Sequence, residues 1–101
     1  MIKIKGKFRK DFTKYLMDKH GLTIFVFEKM HFSFCYGVYV DFGDSVGYRI
    51  GVFPIILRGK IEHELFINES YKGEYNSRHE AREQAVLKLM EIYNENKESN
   101  Y

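Results

Sequence analysis

The sequence predicts an α+β fold: an antiparallel sheet of three to four strands with two helices packed on one face. Three observations predict it. Period-two alternation recurs between Leu22 and Phe53, helical spacing flanks it on both sides, and 101 residues leave room for one core. The element order is helix, strands, helix, with a domain over residues 1–95 and a frayed tail over 96–101.

The elements follow in chain order. IKIKGKF alternates Ile2, Ile4 and Phe8 with Lys3, Lys5 and Lys7, the pattern of an edge strand with outward lysines or of a flexible basic arm. Phe8, Phe12, Tyr15, Leu16 and Lys19 then fall at helical spacing, with Asp11 near the start and Gly21 as a stop, which predicts a short helix over 9–20. LTIFVFE (Leu22–Glu28), HFSFCYGVYVDF (His31–Phe42) and VGYRIGVF (Val46–Phe53) alternate at period two and predict three strands, with FGDS as the turn between the last two. Pro54 cannot donate to a ladder and marks an edge or a bend. KIEHELFI (Lys60–Ile67) is a weaker fourth strand, and NESYKGEYN is a loop. Ser77 and Glu80 form the S-x-x-E capping box, and Ala81, Ala85, Val86, Leu89, Ile92 and Tyr93 make an apolar stripe, so the last helix runs over 78–94.

Alternation also divides the strands into two faces. Leu22, Ile24, Val26, then Phe32, Phe34, Tyr36, Val38, Val40, Phe42, then Val46, Tyr48, Ile50 and Val52 belong to the core face. The second face holds Phe25 and Phe27, then His31, Ser33, Cys35, Gly37, Tyr39 and Asp41, then Gly47, Arg49 and Gly51. Three glycines there mark either sheet curvature or a shallow floor rimmed by Phe25, Phe27, Tyr39 and Arg49, an interaction surface for a protein partner or a second copy of the chain.

Composition narrows the function classes. A net charge of +2 does not describe a polycation, although Lys3, Lys5, Lys7, Arg9 and Lys10 crowd the N-terminus. One cysteine forbids an internal disulfide, no apolar signal core follows the basic start, and no apolar run approaches a membrane span, so the sequence reads as cytoplasmic with no membrane partner. GDSVG, Gly43–Gly47, spells G-x-S-x-G, but a nucleophile elbow needs a strand before the serine and a helix after it; the segment reads as turn chemistry. His63 and Glu64 lack the second histidine of H-E-x-x-H, and His31 with Cys35 falls short of four zinc ligands. No catalytic residue, metal, cofactor or small-molecule substrate is indicated.

The C-terminal part resembles the double-stranded RNA-binding domain. That family introduces its last helix with a glycine, a short spacer and S-[KR]-x-E-A-[KR]; here Gly73 is followed by Ser77, Arg78, His79, Glu80, Ala81 and Arg82. The resemblance implies that Arg78, His79 and Arg82 face phosphates and that His31, near the family's loop histidine, reaches a sugar edge. The sequence thus supports a non-enzymatic binding domain, a protein-interaction or self-associating module. The alternative is nucleic-acid binding through the basic N-terminal arm and the start of the last helix.

Overall fold

A computed structural model describes residues 2–98. The element order is α1 (Gly6–His20), α2 (Ile24–Phe27), α3 (Phe32–Ser45), β1 (Ile50–Leu57), β2 (Lys60–Ile67), β3 (Ser70–Tyr75) and α4 (Arg78–Glu98). The class is α+β with an antiparallel sheet in the order β1-β2-β3. Several elements differ from the sequence reading.

Helix α1 buries Phe8, Phe12 and Leu16, spaced by four along one face. It starts earlier than residue 9 because a distant side chain caps it: Asn94 of α4 accepts from the Phe8 amide at 2.7 Å and donates to the Lys5 carbonyl at 3.1 Å. Gly6 is what allows the approach, since its φ is +70° and a Cβ there would meet Asn94 Nδ2 at 2.8 Å. Residues 2–5 are therefore neither an edge strand nor a free arm. They run along α4 without regular secondary structure, with Ile4 buried and the Lys5 amide reaching Met90 Sδ at 3.3 Å.

The two segments predicted as the first strands are helical. Thr23 caps α2 by accepting from the Val26 amide, and His31 caps α3 by accepting from the Ser33 amide through Nδ1. In α3 the buried positions are Cys35, Val38, Tyr39, Phe42 and Gly43, a helical i, i+3, i+4, i+7, i+8 set. The period-two set of Phe32, Phe34, Tyr36, Val38, Val40 and Phe42 is not the spine of the core. Packing of the 3.6-residue stripe decided the matter over β-rich composition. GDSVG ends this helix rather than turning a hairpin, and the Ser45 hydroxyl donates back to the Phe42 carbonyl at 2.6 Å.

The sheet begins later than expected. β1 starts at Ile50 and continues through Pro54, which is tolerated because β1 is an edge strand paired only with β2. β2 matches its predicted bounds, and the predicted loop Asn68–Asn76 contains β3 instead. The turn between them is tight, with Asn68 and Glu69 both at positive φ, 50° and 69°, as a two-residue hairpin of this hand demands. Asn68 also fixes the sheet to the end of α3: its Oδ1 accepts from the Arg49 amide at 2.8 Å and its Nδ2 donates to the Gly47 carbonyl at 3.1 Å.

Helix α4 lies against all three strands and carries α1 and α3 on its other flank. Its start is capped by the Ser77 hydroxyl, which accepts from the Glu80 amide at 3.1 Å. It runs past residue 94, so residues 96–98 of the expected tail are helical and residues 99–101 lie outside the described residues. Rings dominate the core between the helices: Phe12 stacks on Tyr39 at 4.7 Å and meets Phe27 edge-on at 5.2 Å, while Phe8 meets Phe42 edge-on at 5.4 Å. The sheet contributes Ile50, Val52 and Leu65 from one face, and no side chain of its other face joins that core.

Candidate functional site

The expected interaction surface does not assemble. Phe27 and Tyr39 are buried in the ring cluster, Phe25 is 72% exposed on α2, and Arg49 is exposed at the entry to β1. Their common face existed only if both segments were strands. Burial raises the Tyr39 phenol well above its usual range, with Cys35 and Glu28 adding to the rise and Arg9 opposing it. Cys35 is a packed thiol that donates to the Phe27 carbonyl at 3.4 Å, and burial raises it too.

The basic residues are spread. Lys7 pairs with Asp11 at 3.5 Å and Arg9 with Glu28 at 2.8 Å, while Lys3, Lys5 and Lys10 are exposed. His31 is spent as a helix cap, ahead of the sheet rather than between two strands. His79 pairs with Glu83 at 3.1 Å and packs edge-on against Phe32. Arg78 and Arg82 stand one turn apart at the start of α4, and neither has an ion-pair partner among the described residues.

What the structure exposes instead is the face of the sheet turned away from the helices. Strand alternation puts Gly51, Phe53, Ile55 and Leu57 of β1 on it, beside Lys60, Glu62, Glu64 and Phe66 of β2 and Tyr71 and Glu74 of β3. Three rings run across it: Phe53 meets Phe66 edge-on at 6.0 Å, and Phe66 meets Tyr71 edge-on at 5.8 Å. Gly51 makes the row lie flat, because a Cβ there would meet the Phe53 ring at 2.5 Å. A concavity of about 500 Å³ opens at one end of the row, lined by Arg49, Gly51, Phe53, Phe66 and Glu69, where Arg49 and Glu69 form an exposed ion pair at 3.3 Å. At the other end the β1–β2 turn bares Leu57, and Ile56 and Ile61 project from the opposite side of the same hairpin.

This surface was partly legible. VGYRIGVF set Gly47, Arg49 and Gly51 on the non-core face, and one more step of the same alternation reaches Phe53; Phe66 alternates with Leu65 and Ile67 in the same way. Tyr71 had no such signal, because a bulge opposite Leu65 and Phe66 breaks the register of β3. Among the described residues no three His, Cys, Asp or Glu side chains gather as metal ligands, and no helix is long and apolar enough to cross a membrane. Comparison with protein families, with curated proteins and with solved structures gives no match.

Proposed function

We propose that the protein is a small binding domain that associates with a second copy of itself through the open face of its sheet. The observation that carries this reading is the aromatic row of Phe53, Phe66 and Tyr71 on a sheet face that has no second layer among the described residues. A sheet with one face in the core turns polar residues outward on the other, as Lys60, Glu62, Glu64 and Glu74 do here, but the three rings form a contiguous apolar row among them. Lys60 and Arg58 lie at the hairpin end, while Arg49 and Glu69 at the opposite end are already paired with each other, so the row itself rather than charge is what a twofold axis would set face to face.

The test is light scattering over a concentration series. Wild-type protein is expected to reach dimer mass, and Phe53→Asp and Phe66→Asp, each placing a charge in the row, are expected to hold the chain at monomer mass while its circular dichroism is unchanged. Monomer mass at every concentration for the wild type would overturn self-association.

Nucleic-acid binding is the second reading. Its support is Arg78 and Arg82, which have no acidic partner among the described residues, together with the exposed Lys3, Lys5 and Lys10. The ion pairs of Lys7 and Arg9 withdraw two charges from the original basic run.

A further inference from the structure

The helix side of the sheet holds a cleft of about 460 Å³, remote from the aromatic row, where four elements meet. Val52 and Pro54 of β1 and Ile61 of β2 form an apolar floor, and His63 of β2 stands beside Pro54 in register. Tyr36 of α3 and the two arginines of α4, Arg78 and Arg82, complete the lining.

Three features of this cleft point to a ligand. First, both guanidinium groups lack an acidic partner among the described residues, and no carboxylate is among the residues that line the cleft. Secondly, Arg82 is held in place, its guanidinium carbon 4.9 Å over the Tyr36 ring, so little side-chain freedom is left to lose on binding. Thirdly, His63 Nδ1 is buried with no hydrogen-bond partner among the described residues. A buried polar atom of this kind is costly unless something supplies the missing bond.

Two unpaired guanidinium groups one helical turn apart match the charge of a phosphate monoester dianion, whose oxygens can take a fork from each. A cleft of a few hundred Å³ with an apolar floor accommodates a small flat body attached to that phosphate. We propose that this cleft binds a small phosphate monoester with a planar apolar body, the class that includes nucleoside monophosphates. The phosphate lies between Arg78 and Arg82, the body covers Val52, Pro54 and Ile61, and the His63 ring turns to bring the covered Nδ1 to a polar edge atom of the body. The Tyr36 phenol, raised by burial against the opposing pull of Arg82, keeps its proton at neutral pH and is a further donor. This site and the open sheet face lie on opposite sides of the sheet, so either reading can fail without the other.

The experiment is an NMR titration of the full chain at low salt, following the His63 ring and the arginine Nε signals, with four probes: adenosine monophosphate, adenosine, inorganic phosphate and a short RNA duplex. Adenosine monophosphate is expected to shift the His63 and Arg82 signals saturably, with adenosine and inorganic phosphate each weaker by about tenfold or more, the loss of one set of contacts. Arg78→Gln, at an exposed position that leaves the fold intact, is expected to weaken adenosine monophosphate by about the same factor. Arg82→Lys, which keeps the charge but not the fork, is expected to weaken it less than Arg82→Gln does. No saturable shift with adenosine monophosphate would overturn the proposal, as would equal binding of adenosine or of inorganic phosphate, or binding indifferent to Arg78→Gln. Duplex RNA shifting the arginine signals where adenosine monophosphate does not would also overturn it, and would assign the two arginines to a nucleic-acid backbone.

Discussion

Phe12 and Phe53 are the same side chain in two environments. Phe12 is fully buried, with Phe8, Phe27, Tyr39 and Phe42 around it, all joined in one cluster behind α4. Phe53 is 55% exposed, touches Phe66 on one side and covers Gly51 beneath. The first set of rings sits where helices α1, α3 and α4 converge; the second sits where the sheet has helices on one side only. A supply of aromatic residues therefore does not mark a surface for binding. What marks it is a missing layer, because a sheet face becomes core only when something is laid on it.

The sharpest way to test this contrast is to remove each ring. Phe12→Ala deletes a side chain with no solvent exposure from a packed cluster and is expected to cost about 3 to 5 kcal/mol, the transfer of the ring plus the cavity it leaves. Domains of this size have total stabilities of roughly 5 to 15 kcal/mol, so the variant should have a sharply lowered urea midpoint or be unfolded. A midpoint close to the wild type would mean that the cluster is not what holds the helices together.

How far the sequence revealed these two regions depends on which period dominated each segment. The capped helix at the C-terminus was legible because Ala81, Ala85, Val86, Leu89 and Tyr93 support only a helical stripe. The α+β class was legible too, although two of the three strands read between Leu22 and Phe53 are helices and it is the weaker strand over residues 60–67 that stands with its bounds. His31–Phe42 carries both periods at once. Its rings at every second position favour a strand, while Cys35, Val38, Tyr39, Phe42 and Gly43 form an equally good helical face whose small members, Cys35 and Gly43, were easy to overlook. Choosing the wrong period moved Tyr39 and Phe27 from core to surface, and the candidate site with them. The arginine cleft was out of reach for another reason. Tyr36, His63 and Arg82 come from three separate elements, and no local pattern connects them.

Alkaline pH probes the buried cluster without a mutation. Tyr39 and Tyr93 both have phenols raised above their ordinary range, Tyr39 by burial first and Tyr93 by burial and then by the bond it donates to the Asp11 carboxylate. The unfolded chain ionises these groups near pH ~10, and the folded chain resists, so their stabilisation is whole below that pH and is lost as pH climbs above it. Stability is expected to be level up to pH ~10 and to fall beyond it. Tyrosinate absorbance from these two groups should appear together with loss of circular dichroism, and Tyr93→Phe should make the fall shallower. If every tyrosine ionised near pH ~10 with the fold intact, neither phenol would be sequestered in the cluster.

The smallest expected effect lies on the open face. Phe53 has an exposed ring, its cross-strand neighbours are Glu64 directly opposite and Phe66 on the diagonal, and no side chain of its face reaches the core. Pairs of this kind contribute about 0.2 to 1 kcal/mol, so Phe53→Ala should lower stability by no more than that. The measurement must be made on dilute protein, because an associating fold gains apparent stability with concentration and a variant that cannot associate loses that gain. Dilute Phe53→Ala is expected to match dilute wild type closely, and the two should separate as concentration rises. If instead Phe53→Ala cost as much as Phe12→Ala in dilute solution, the row would be a second core, and the open face would contribute to folding rather than to association.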